Sequence, residues 1–187
     1  MWTAYALVGV ICGVIAFTID ILVDNLVLWK WSVSQLIIDE KPMGYAMLTF
    51  VAFSILLGGT AALLTVYVGP GAAGSGMAEL MSYLNGINYP GFISYRTLFV
   101  KVVAVSLAVA AGLCVGKEGP LAHIGAIVGQ AVLYLPFTCL IKFRNEVSKR
   151  EISCAGAAAG VSAAFGSPIG GSLLLYELAR PSTFWSF

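Results

Sequence analysis

The chain has 187 residues, of which 59% are hydrophobic and 10% charged, with a formal net charge of +1 and a mean hydropathy of +0.93. A soluble domain draws on roughly 25% charged residues to cover its exterior; this chain has too few, and it lacks the basic face that nucleic-acid binding needs. The single histidine, His123, excludes a paired-histidine zinc motif. The cysteines, Cys12, Cys114, Cys139 and Cys154, stand singly inside apolar runs and read as small buried hydrophobes.

The first apolar segment runs from Tyr5 to Val23, close to Asp20 and Asp24. No basic stretch or small-residue cleavage site accompanies it, so it reads as a membrane helix and not a removed leader. A polar connector with Lys30, Asp39, Glu40, Lys41 and Pro42 is expected next. Tyr45 to Val68 is uncharged and long enough for a hydrocarbon core that takes about 20 helical residues. After Gly69-Pro70 the apolar segments become short or Gly-broken. Gly71 to Gly76 leads into a short helix, Met77 to Leu84, stopped by Asn85-Gly86, and Tyr89-Pro90-Gly91 makes a turn. Thr97 to Val115 is apolar but for Lys101. Leu121 to Leu135 is a further helix, ended by Pro136. Lys142 to Glu151 is a charged linker at a water interface, and Ile152 to Tyr176 is cut by Gly166-Ser167-Pro168 into two half-length helices. No strand alternation of the outer-membrane barrel type appears.

Broken helices inside a membrane need a reason, because unpaired backbone in hydrocarbon costs several kcal/mol per group and survives only beside protein or a water cavity. Such breaks point to a substrate site near the bilayer midplane. Each half-helix start offers free N–H groups and about half a positive charge, which suits an anion. Three starts are expected here, at Ser75, at Glu118-Gly119-Pro120 and at Pro168. Dipoles without a full charge bind an anion weakly enough to release it.

Ser75, between two glycines, reads either as a hydroxyl donor to an anion or as an ordinary N-cap. Glu118 is a carboxylate between long apolar runs; intramembrane acids are costly and functional by default. At a helix start it is able to occupy an anion site and swing away when protonated, or it serves only as a partner for the helix dipole. Lys117 is open between a pore-mouth charge and a snorkelling interface residue. His123 reads as a satisfied polar residue in preference to a proton relay. Gly116-Lys117 is not a phosphate loop, since Gly112 is one residue too close and Glu118 stands where Ser or Thr belongs. Gly156, Gly160, Gly170 and Gly171 read as close helix packing.

GSGMAEL from Gly74, GKEGPLAHIG from Gly116 and AGAAAGVSAAFGSPIGGSLLLYEL from Ala155 resemble the three N-terminal signature blocks of the CLC chloride channels and transporters, in order and spacing. FTIDILVDNL from Phe17 and SYLNG from Ser82 look most like the eukaryotic endosomal and lysosomal branch. The resemblance implies an all-α membrane bundle of spanning and broken half-length helices, with residues 1–187 as the first half of an inverted repeat whose second half and cytosolic regulatory domains are absent. It implies Glu118 as the gating glutamate, Ser75 as the serine on the central chloride, and backbone N–H groups at Gly76, Met77 and Gly119 along the path. Chloride is then the substrate, with no cofactor, no metal and no catalytic residues. The implied partners are the lipid bilayer and a second copy of the full-length protein, in an endosomal, lysosomal or other intracellular membrane.

Two departures stand out. The first block usually reads Gly-Ser-Gly-Ile-Pro, and Met77-Ala78 fill its last places, losing a proline preorganised for helix. Exchangers of the family carry two consecutive acids near the end of the third block, the second being the proton-transfer glutamate; here the pair is Glu177-Leu178. A gated chloride channel is the leading expectation. A chloride/proton antiporter is its close rival, and a truncated, non-conducting membrane subunit is the third.

Overall fold

The computed structural model describes residues 2–40, 42–135 and 144–179. They form α1 (Trp2–Glu40), α2 (Met43–Leu63), α3 (Met77–Leu84), α4 (Tyr95–Ala111), α5 (Glu118–Leu133), α6 (Glu146–Phe165) and α7 (Pro168–Ala179). Among the described residues there is no strand. The expected all-α fold of long and half-length helices is what the chain adopts.

The first helix corrects the expected connector. α1 runs unbroken for 39 residues because nothing before Pro42 stops it; charges decorate a helix, whereas proline ends one. At 1.5 Å per residue it reaches roughly 58 Å, against about 30 Å for a hydrocarbon core. Lys30, placed by sequence in a polar loop, is buried instead. Its ammonium donates to the carbonyls of Ala110 at 2.9 Å and Ala111 at 3.3 Å, the last of α4, and sits 4.3 Å from the Phe50 ring centre. A cation on the open carbonyls of a helix end is favourable.

α2 continues through a π-helical turn, Leu64–Val68, to Gly69, where a Cβ would stand 3.1 Å from Val100. A 3-10 turn, Pro70–Ala72, follows. Trp2–Ile38 and Met43–Val68 are both long and apolar enough to cross a membrane. Most apolar side chains of α2, such as Leu48, Ile55 and Leu63, are exposed, the surface that lipid would cover.

α4 ends four residues before the expected Val115. Gly112, in the left-handed region at φ 86°, closes it with a backbone bond to Val109 at 3.0 Å, the usual glycine terminator. α5 starts at Glu118, within the helix start expected at Glu118-Gly119-Pro120, and takes in the three residues before Leu121, since Pro120 is tolerated inside a first turn. More than half of the expected charged linker is helix: α6 begins at Glu146, an acid in its first turn that suits the helix dipole. Lys142, Pro136 and Cys139 lie outside the described residues. The expected cut at Gly166-Ser167-Pro168 is present, with Gly166 at φ 61° and the Ser167 hydroxyl accepting from Gly170 N–H at 3.1 Å.

Two layers form around α5. Ala4, Val8, Cys12, Ala16 and Ile19, one stripe of α1, pack with Leu121, Ile124, Val128 and Ile152. On the other side α5 and α6 touch backbone to backbone. A Cβ on Gly125 would run into the Gly156 carbonyl, one on Gly129 into that of Ile152, and one on Gly160 into that of Leu121. That is the close packing expected of Gly156 and Gly160. Gly171 likewise meets Ala158 and Ser162. One cysteine departs from its expectation: Cys12 and Cys154 are buried, but Cys114 is exposed, because α4 has already ended at Gly112.

Candidate functional site

The turn before α3 is built on glycine. Gly74 and Gly76 have φ of 66° and 81°, values that a side chain resists. Between them Ser75 accepts a long bond, 3.4 Å, from the Met77 N–H. This leaves its hydroxyl proton free to point elsewhere. The starts of α3 and α5 meet at this point: a Cβ on Gly119 would lie 2.9 Å from the Ser75 Cβ. Two of the three expected helix starts therefore converge. The third, Pro168, lines neither of the two cavities found beside them among the described residues.

The first cavity, ≈ 570 Å³, is bounded by α2, α4 and the two starts, through Gly74, Ser75, Lys101, Ala104, Gly116 and Pro120. The second, ≈ 410 Å³, is bounded by Asp20, Asp24, Val109, Gly116, Lys117 and Glu118. Val115 and Gly116 belong to both walls. The Glu118 carboxylate folds back onto Gly116, leaving no room there for a Cβ. The gating candidate thus stands at the partition between the cavity with Ser75 and the cavity with Asp20 and Asp24.

The other candidates fall as follows. Lys117 is in an ion pair with Asp20 of α1, and both line the second cavity. Gly76 is buried against the His123 ring, and the Met77 N–H is taken by Ser75; neither lines the cavities. Leu178 lies near the end of α7, and its side chain is outside the described residues. His123 has both ring nitrogens occupied, Nε2 by the Phe92 carbonyl at 2.9 Å and Nδ1 by Lys101 at 2.7 Å, which agrees with its reading as a satisfied polar residue.

Sequence reasoning passed over Lys101. It is fully buried, and it shares the cavity wall with Ser75. The signal was its isolation: it is the one charge in the apolar run Thr97 to Val115, and an intramembrane cation marks a pathway by default. Asp20 was read as a helix-end charge, and its partner is 97 residues away, beyond any local pattern.

Residues 57–186 match the family described as voltage gated chloride channel. The chain belongs to that family. Across CLC relatives it is 39% identical to chloride channel protein D of Dictyostelium discoideum over 99% of its own length and 19% of that protein's. It is 36% identical to the human H(+)/Cl(-) exchange transporter 7, over 99% of this chain and 24% of the transporter. Its fold matches the crystal structure of a eukaryotic CLC transporter with a TM-score of 0.85 at 26% identity, covering 96% of this chain and 33% of the other. The chain therefore spans about a fifth to a quarter of the curated relatives' length. As a CLC chain it is part of a membrane protein.

Proposed function

We propose that this chain supplies one wall of a gated chloride pathway, with Glu118 as the gate, Ser75 as a hydroxyl donor to the ion and the Gly119 backbone beside Ser75. The observation that carries this reading is the Glu118 carboxylate, which lines the second cavity and folds onto Gly116, a residue of both cavity walls. Two helix starts meet there and supply N–H dipoles to an anion. A carboxylate resting at such a place competes with chloride while charged. When protonated it no longer does, and the route opens. Chloride is the transported substrate and no resident cofactor is needed. The full protein works as a homodimer in an intracellular membrane, and it transports rather than catalyses.

The test is Glu118→Gln in the full protein that carries this chain. A neutral amide imitates the protonated acid, so currents should be constitutively open and flat across external pH. Unchanged pH dependence would leave Glu118 as a helix cap only.

Coupled chloride/proton exchange is the second reading. It is favoured by the 36% identity to a relative named as an H(+)/Cl(-) exchange transporter. Leu178, at the position where the family's exchangers place their proton-transfer glutamate, favours the channel.

A further inference from the structure

Lys101 is the largest fully buried side chain of the described residues. Buried ammonium groups are expensive unless paired. Lys101 is in neither of the ion pairs Lys117–Asp20 and Lys149–Glu146. Glu79, exposed on the first turn of α3, is the carboxylate whose field reaches it, and solvent screens an exposed charge. The direct partner of Lys101 is His123 at 2.7 Å.

The Phe92 carbonyl sets the tautomer of a neutral His123 ring. The Phe92 carbonyl accepts, so the His123 Nε2 carries the proton. The Nδ1 lone pair is then left to accept from the lysine ammonium. Phe92 also stacks on the imidazole, ring centres 4.1 Å apart and 13° from parallel, and Gly76 lies against Nδ1 with no space for a side chain. The ring is clamped from its edge, its face and its far nitrogen. A neutral histidine fixed in this way holds a cation in place without cancelling its charge.

We propose that His123 is a positioning residue for the anion site: it holds the Lys101 ammonium against the cavity lined by Ser75, so that the permeating anion becomes the counter-ion of a buried lysine. This rests on the chloride-pathway reading above and adds a full charge to the helix dipoles. One charge felt across several ångström at an effective dielectric of about 20 changes ion affinity on the order of a hundredfold.

The experiment measures half-saturating chloride for currents of the full protein, with surface protein quantified. K101M should raise half-saturating chloride on the order of a hundredfold, and H123L should move it in the same direction. H123Q should restore the native value, because its amide accepts from Lys101 and donates to the Phe92 carbonyl. H123L combined with K101M should match K101M alone. Additive effects, or H123Q as impaired as H123L, would reduce His123 to a packing residue and overturn the proposal. If H123L fails to reach the membrane, K101M and H123Q decide alone: native chloride dependence in K101M, or an impaired H123Q, overturns it. Absence of chloride current in the native protein would instead reject the pathway reading itself.

Discussion

Ser75 owes its candidate role to what surrounds it. Gly74 and Gly76 take the left-handed turns, Gly119 lets the start of α5 approach its Cβ, and Met77 makes only a 3.4 Å bond to its oxygen. A donor lost from an anion site costs about 1.5–3 kcal/mol. Ser75→Pro should therefore weaken chloride by that amount relative to larger, weakly hydrated anions, which need the donor less. Reversal potentials under anion substitution in the full protein measure the shift; identical potentials would remove Ser75 from the site. Glu118 and Ser75 stood out as candidates in the sequence because their signals are local: a glycine on each side of Ser75, and an acid next to Gly-Pro. The ion pair of Lys117 did not. It depends on Asp20, 97 residues earlier, and only the packing of α1 against the α4–α5 connection brings the two together.

At the level of elements, the sequence was clearest where proline and glycine punctuate. The limits of α3, the break before α7 and the all-helical character follow from Gly76, Asn85 and Gly166-Ser167-Pro168. It was least clear where charges were taken as boundaries. Lys30 and Glu146 to Glu151 are helical, because a helix tolerates a charge that finds carbonyls, water or its own dipole. The glycines are not equivalent either. Gly156 meets the Gly125 carbonyl of α5, whereas Gly9 on α1 has nothing within 4 Å of a Cβ. Gly156→Ala should push α5 and α6 apart at a cost of about 1–3 kcal/mol. Gly9→Ala should stabilise α1 by up to about 1 kcal/mol, the helix-propensity difference. Thermal unfolding of the detergent-purified full protein tests the pair. Equal midpoints for the two variants would mean that the α5–α6 contact is looser than its backbone spacing indicates.

On the scale of the whole molecule, the open question is whether chloride movement drives protons, and Leu178 bears on it. α7 begins at Pro168, so Leu178 lies roughly 15 Å along the helix axis from that start. In the family pattern this is the place of the internal proton acceptor, and leucine binds no proton. Glu177 is adjacent, but successive residues on a helix point about 100° apart, and Glu177 matches the first acid of the pair, which does not transfer the proton. On the proposed reading the pathway has Glu118 as its outer acid and a leucine where the inner one would stand. The full protein should pass chloride without stoichiometric protons, and Leu178→Glu should create or strengthen coupling. Proton flux driven by an imposed chloride gradient in reconstituted vesicles measures this directly. Uphill proton movement at a fixed ratio with Leu178 in place would refute the channel reading. It would require a second acid, contributed by a part of the protein beyond these helices, to complete the relay. Proton movement that appears only in Leu178→Glu would instead trace the loss of coupling to one side chain at the end of α7.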